Sequence, residues 1–313
     1  MIFPGQASQF VGMAQDLADG GTAGEWLGRV DAILGEALTS IMFGGPPERL
    51  TETRYAQPAI LAHSVAAVSA LRELDIEPSL VAGHSLGEYS AAVAAGALAP
   101  EDALRLVRRR GELMFAAGRE TPGTMAAVIG LAANRVTDVC ARVAETEGVV
   151  VLANHNSPAQ VAISGEVDAV AAASEALRSA GARKVIPLQV SGAFHSPLLE
   201  KAAQEFRSTL AEIELREPRV PLIANVSAEP VTTGAGLRDG LERQLTAPVL
   251  WQETMEKICA PERGPAPAAV LEVGPGRVLA NLARRTFPEV EFLAAGTRED
   301  LERLPGVLAG RLM

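Results

Sequence analysis

Gly83-His84-Ser85-Leu86-Gly87 is the stretch best suited to covalent chemistry. A short apolar run, Leu80-Val81-Ala82, leads into it, and a small-residue helical stretch, 86–97, leads out. A serine on a sharp strand-to-helix turn stands proud of a sheet, beside helix N–H groups that can stabilise an oxyanion. The same residues would also fit a glycine-bounded turn whose serine only caps the helix. A nucleophilic serine needs a base, and the chain holds four histidines. His84 adjoins the serine, so its ring should leave the turn in another direction and pack or hydrogen-bond nearby. His63 has Ala59, Ile60, Ala66 and Ala67 at helical neighbours, which reads as core. His155 falls in a polar loop, Asn154-His155-Asn156-Ser157-Pro158. His195, in Gly192-Ala193-Phe194-His195-Ser196-Pro197, sits on a loop that can offer a side chain to a cleft, so it is the expected base.

Arg110 is the third chemical residue. Arg108 has Glu112 at i+4, and Arg109 has Arg105 and Glu112 at its flanks. Arg110 instead has Leu106, Val107, Leu113 and Met114 around it, with no acid at helical spacing. A guanidinium on an apolar face must be paired, either by a distant acid or by a substrate carboxylate gripped by its fork. The second choice makes it an anion receptor.

These residues need a scaffold. Short apolar runs at 80–83, 125–130, 149–153, 161–164, 184–190, 222–225 and 269–273 alternate with amphipathic stretches at 57–74, 86–97, 101–118, 133–147, 166–180, 197–211, 237–245 and 278–287. That alternation predicts an α/β fold with a mostly parallel sheet. From 123 to 189 the order becomes strand, helix, strand, strand, helix, strand, the order of a ferredoxin-like unit. Residues 123–189 therefore read as a subdomain inserted into a large domain made of 1–122 and 190–313. The common hydrolase order, with its histidine after the final strand, fits poorly, because a further βα pattern follows His195.

Composition sets outer limits. With 313 residues, 48% hydrophobic and 21% charged, the chain can bury a large core. A net charge of −10 argues against nucleic acid and anionic membranes. All but three of the 28 basic side chains are arginine. Cys140 and Cys259 suggest neither a disulfide framework nor a zinc site, and no metal or cofactor is expected. Without a membrane-length apolar run or a basic, apolar leader, a soluble cytoplasmic protein, monomeric, is expected.

Phe3-Pro4-Gly5-Gln6-Ala7-Ser8-Gln9, Gln57-Pro58-Ala59, Gly83-His84-Ser85-Leu86-Gly87-Glu88-Tyr89-Ser90, Arg110-Gly111, Asn154-His155-Asn156-Ser157-Pro158, Phe194-His195-Ser196, Arg243-Gln244-Leu245 and Glu272-Val273-Gly274-Pro275-Gly276 stand in the order found in malonyl-CoA:acyl-carrier-protein transacylases. The chain resembles that family over nearly its whole length, and polyketide synthase acyltransferase domains are similar. The resemblance implies a hydrolase-like large domain with a ferredoxin-like subdomain. It implies ping-pong transfer of malonyl from malonyl-CoA, a substrate, to the phosphopantetheine thiol of an acyl carrier protein. Ser85 would be the nucleophile and His195 the base, with the N–H groups of Gln6 and Leu86 as oxyanion hole. Arg110 would hold the malonyl carboxylate, and the carbonyl of Gln244 would orient His195. Leu86 and Phe194 match the residues of malonyl-selective members; a ring beside the α-carbon gives preference over methylmalonyl, worth about 1–3 kcal/mol per methyl.

Two departures touch the oxyanion loop. Ala7 replaces the usual glycine, which suits the loop only where φ is negative, and Met1-Ile2 alone precede Phe3 as first strand. Other functions consistent with the same residues are an acyl-thioester hydrolase that edits carrier proteins, a transferase for a substituted malonyl unit, and a non-catalytic carrier-docking module. An acidic carrier would need a local basic patch; Arg183-Lys184 and Arg284-Arg285 are the candidates.

Overall fold

The computed structural model of the protein describes residues 1–260 and 266–309. Among them are eleven strands: β1 (Ile2–Phe3), β2 (Val81–Gly83), β3 (Gly123–Ile129), β4 (Val150–Ser157), β5 (Gln160–Glu166), β6 (Lys184–Pro187), β7 (Leu222–Ile223), β8 (Pro230–Val231), β9 (Val249–Leu250), β10 (Val270–Val273) and β11 (Phe292–Ala295). They form two sheets. The first runs β11-β10-β1-β2-β7-β8 and is parallel apart from the β7–β8 pair. The fold is therefore α/β with a mostly parallel sheet, as its strand–helix alternation predicts. β1 is only two residues long, yet it is central, pairing with β10 on one side and β2 on the other.

The second sheet runs β6-β3-β5-β4-β9. Its first four strands are antiparallel and carry the ferredoxin-like order; helices Ala133–Glu147 and Val167–Ser179 cover one face. That face packs a core of its own, drawn from Ala126 to Val185. The other face contributes Met125, Ala153 and Ala162 to the main core. Three strands lie outside the expected runs: β8 and β11, at the two edges of the first sheet, and β9 in this one. β9 comes from the stretch after residue 190 and extends this sheet in parallel beside β4, at Asn154–Val249 and His155–Leu250.

Several boundaries also differ. β4 runs on through Asn154-His155-Asn156-Ser157, read above as a polar loop, because β5 and β9 pair with it from both sides. β6 stops at Pro187, short of 190, and the helix expected over 278–287 ends at Ala283. Helices Gly21–Leu34, Leu38–Gly44, Pro47–Thr51, Trp251–Cys259 and Arg298–Ala309 lie outside the expected helical stretches. Glycines at 20, 21, 24 and 28 obscure the first, although Ala23, Trp26, Leu27 and Val30 form its buried stripe.

Two long helices carry the site's walls. Helix Pro100–Glu120 begins as expected, with proline in the first turn and Glu101 and Asp102 at its positive end. Helix Thr53–Glu73 starts ahead of the expected residue 57 and passes through Pro58. Proline leaves the carbonyl four residues earlier without a helical donor. That carbonyl, Arg54 O, accepts from Arg108 Nη1 at 2.7 Å, so one helix repairs the ladder of the other. Arg108 also pairs with Glu112, as its spacing implied, and with Glu36.

Candidate active site

The carboxyl ends of adjacent parallel strands converge on one place, where open α/β sheets carry their ligands. β1 ends into Pro4-Gly5-Gln6, β2 into His84-Ser85, and β7 into Ala224-Asn225. The elbow after β2 is as tight as its motif implies. A Cβ on Gly83 would run into the main chain of Gly87, and one on Gly87 into the carbonyl of Phe3. Ser85 itself holds φ 52°, in the left-handed region. Asn225 clamps that strained turn: its Oδ1 accepts from Ser85 N–H at 2.7 Å, and its Nδ2 donates to Gly83 O at 2.6 Å.

His195 meets the serine from the other side. Its Nε2 lies 2.8 Å from Ser85 Oγ and its Nδ1 2.9 Å from the main-chain oxygen of Gln244. Because a carbonyl only accepts, Nδ1 carries the proton and Nε2 presents its lone pair to the serine. His195 is buried and also left-handed, at φ 56°. Burial first, and the Arg110 charge second, push its pKa down to about 3, so the resting imidazole is neutral.

Arg110 is fully buried among the apolar neighbours its spacing named. Its partners are amides and a hydroxyl. Nη1 donates to Gln57 Oε1 at 2.7 Å, and Nη2 donates to Gln244 Oε1 at 3.0 Å and to Ser85 Oγ at 3.2 Å. Nε has no partner. Among the described residues the guanidinium thus sits at the Ser85 hydroxyl without an ion pair of its own. Burial lowers its pKa, while nearby Tyr89 and Glu88 counteract this.

The other expected residues fall around this centre. Leu86 is buried, directly before helix Gly87–Ala94, and Phe194 is buried directly before His195. Gln6 is half-buried, and its Nε2 donates to Thr53 Oγ1, which also bonds Ser191 Oγ at 2.8 Å. Ala7 corrects an expectation: it takes φ 82°, the conformation for which glycine is suited, with its N–H bonded to Gln9 Oε1 at 2.8 Å. The loop keeps the glycine-type backbone without the glycine.

His84 leaves the elbow as expected: Nε2 lies 2.9 Å from Asn156 Oδ1 and the ring meets Trp251 edge-on. His155 is on a strand, 2.6 Å from Glu253 Oε1. His63 is core, bonded to Gly296 O. Sequence reasoning missed Gln57, Asn225 and Glu88 as parts of the site. The one sequence signal was Glu88 itself, a charged residue three positions after the serine in an otherwise small, apolar helix. Among the described residues no group of histidine, cysteine, aspartate and glutamate could hold a metal ion, and no helix is long and apolar enough to cross a membrane.

A serine elbow, a carbonyl-oriented histidine and a buried arginine on an α/β sheet are the parts that serine-based acyl transfer requires. The acyl transferase domain family matches residues 1–303. The malonyl CoA-acyl carrier protein transacylase of Bacillus subtilis is 40% identical over 302 residues, covering 96% of this chain and 94% of that protein. That of Haemophilus influenzae is 40% identical over 297 residues, covering 94% of each. Among solved structures, the acyl carrier protein S-malonyltransferase of Vibrio cholerae superposes with a TM-score of 0.91 at 40% identity, covering 97% of this chain and 98% of that one. A malonyl-transacylase in complex with its type II PKS acyl-carrier protein superposes with a TM-score of 0.91 at 39% identity, covering 97% of each chain. The chain belongs to the acyl transferase domain family and, within it, to the malonyl-CoA:acyl-carrier-protein transacylases.

Proposed function

We propose that the protein moves malonyl from malonyl-CoA to the phosphopantetheine thiol of an acyl carrier protein, for fatty-acid or polyketide synthesis, through an ester on Ser85. The carrying observation is the Oγ that bonds the base at 2.8 Å and a buried guanidinium at 3.2 Å. His195 Nε2 takes the hydroxyl proton as Oγ attacks the thioester carbonyl. The tetrahedral oxyanion is met by the N–H groups of Leu86 and Gln6. Collapse breaks the C–S bond, and His195 returns the proton to the departing CoA sulfur. In the second half the carrier thiol loses its proton to His195, attacks the ester, and Ser85 recovers its hydrogen. Every proton and electron pair is accounted for by serine, imidazole and thiol, so the cycle needs no cofactor or metal.

Arg110 supplies the preference for a dicarboxylic acyl group, and it does so twice. It pairs with the free carboxylate, and that same carboxylate cancels the Arg110 charge, which after burial is the second cause depressing His195. The base therefore strengthens when the correct substrate is seated. Phe194 and Leu86 line the α-carbon and favour malonyl over its methyl homologue. We further propose that residues 123–189 form a subdomain on a large domain of 1–122 and 190–313, on the strength of its separate core. One chain supplies the whole Ser85–His195–Arg110 network, which supports a monomer as the working unit. It acts in the cytoplasm, in keeping with two buried free thiols, Cys140 and Cys259.

Intact-mass measurement after mixing with malonyl-CoA tests the reaction. A malonyl adduct is expected on the native protein and none on Ser85→Ala; an adduct persisting on that variant would exclude Ser85 as the nucleophile. For Arg110→Ala, malonyl-enzyme formation falls by about two to three powers of ten, the scale of losing a buried charge-assisted pair. Acetyl-enzyme formation falls far less. Equal losses for both acyl groups would remove Arg110 from carboxylate recognition.

A further inference from the structure

Glu88 is completely buried, one turn beyond the nucleophile, and takes no part in the bond-making described above. A carboxyl group in such a place costs several kcal/mol unless its oxygens are met. Both are met, by neutral donors from two different segments. Oε1 accepts from Asn225 N–H at 3.2 Å, and Oε2 accepts from Gln244 Nε2 at 2.5 Å.

The second bond decides which way the Gln244 carboxamide faces. Its oxygen and nitrogen ends have nearly the same shape, so only their partners distinguish them. With Glu88 Oε2 and Ser85 O (2.9 Å) both accepting from Nε2, the oxygen end is left for Arg110 Nη2 at 3.0 Å. That guanidinium group is the one at 3.2 Å from Ser85 Oγ, and the main-chain oxygen of the same Gln244 holds His195 Nδ1. Through Asn225, Glu88 also steadies the residue that clamps the elbow at Gly83 O and Ser85 N–H.

We propose that Glu88 is a positioning residue: by accepting from Gln244 and Asn225 it sets the carboxamide whose two ends and main chain align the arginine, the serine and the base together. The proposal rests on the acyl-transfer reading above. Glu88 touches neither substrate nor reacting atoms.

Glu88→Gln keeps the size but replaces one acceptor by a donor, which forces a donor–donor clash with Gln244 or Asn225. Single-turnover formation of malonyl-enzyme and acetyl-enzyme from the corresponding CoA thioesters is the readout, in native protein, Glu88→Gln, Arg110→Ala and the double variant, all at about pH 8.5, where Glu88, whose pKa burial raises to about 7, is ionised and only accepts. The base serves both acyl groups and the arginine only one. Acetyl-enzyme formation should therefore slow about 10-fold and malonyl-enzyme about 100-fold in Glu88→Gln, the scale of a misalignment near 1 Å. The malonyl-to-acetyl ratio thus falls about 10-fold. In the Arg110→Ala background, Glu88→Gln should leave that ratio where it is, because the two act along one path.

An unchanged ratio in Glu88→Gln, or a ratio falling as far with Arg110 absent as with it present, overturns the proposal. Should Glu88→Gln not fold, Glu88→Asp is read on the same ratio; it keeps the acceptors but withdraws them, so a smaller fall is expected and no fall overturns the proposal. If native protein forms no malonyl-enzyme, the acyl-transfer reading fails first, and the two failures are distinguishable.

Discussion

Ala7, Ser85 and His195 all hold a positive φ, at 82°, 52° and 56°. Each costs on the order of 1 kcal/mol or more against relaxed backbone. At Ser85 and His195 the surrounding hydrogen bonds hold the strain in place, and the strained conformation is what brings hydroxyl and imidazole face to face. Ala7 is exposed, and the one bond to its N–H comes from its own loop, from Gln9 Oε1. Ala7→Gly should therefore stabilise the fold. Relief of the strain outweighs the unfolded-state entropy that glycine adds, about 0.4–1 kcal/mol, leaving a net gain of about 0.5–1 kcal/mol. A melting midpoint one to three degrees higher, roughly, is the expected reading; a lower midpoint would show that the loop tolerates alanine without strain. The chemistry of this site was legible residue by residue where local spacing carried it: the glycines around Ser85, the apolar ring around Arg110, the loop of His195. Glu88, Asn225 and Gln57 were not, because their partners lie far along the chain and only the fold brings them together. Gln244 was reached only through the family resemblance, since a main-chain carbonyl leaves no mark on residue type.

Elements were legible in proportion to their length and to how much of their pattern is local. The long helices and the ferredoxin-like order stand out in the sequence, whereas two-residue β8 and β9 exist only because a neighbouring strand offers an edge. The polar run at 154–157 failed for the same reason, since pairing on both sides overrode its loop-like composition. How elements are tied together also sets a pH dependence. His63, on helix Thr53–Glu73, bonds Gly296 O, just past β11, at 2.6 Å and has its pKa lowered to about 4 by burial. Its folded pKa lies below the ordinary 6.5, so the unfolded chain binds the proton first as pH falls. Stability is then present above 6.5 and declines towards 4 by about 1.4 kcal/mol per pH unit. Glu88, raised to about 7 by burial, works in the opposite direction between 7 and its ordinary 4.5. Comparing urea midpoints at pH 7.5 and 5 for native protein and His63→Gln isolates the histidine. The variant, which keeps a donor for Gly296 O, should lose less stability between the two; an identical loss would mean the helix–strand tie does not titrate.

At the scale of the molecule, the net charge of −10 excludes little about a protein partner until its distribution is known. Both candidate basic pairs are exposed, but they are not equivalent. Arg284 is committed to its own fold, with Nη2 donating to Phe292 O at 2.8 Å, in a region where Arg277 already pairs with Asp300. Lys184 opens β6, the edge strand of the ferredoxin-like sheet, with Arg183 directly before it, and neither makes an ion pair among the described residues. An edge that must avoid pairing with other strands is well served by exposed positive charge, and the same charge is free to meet an acidic carrier. The two half-reactions separate these possibilities. Malonyl-enzyme formation from malonyl-CoA involves no carrier, so Arg183→Glu with Lys184→Glu should leave its rate within about two-fold. Transfer to the carrier should show KM raised about 10-fold at low salt, for two screened contacts each worth up to about 1 kcal/mol, with the gap closing as ionic strength approaches 0.5 M. The corresponding change at Arg285 tests the other pair. If KM for the carrier follows Arg285 and ignores β6, docking lies at the Arg284-Arg285 pair ahead of β11 and the basic β6 edge serves only to keep copies of this chain apart.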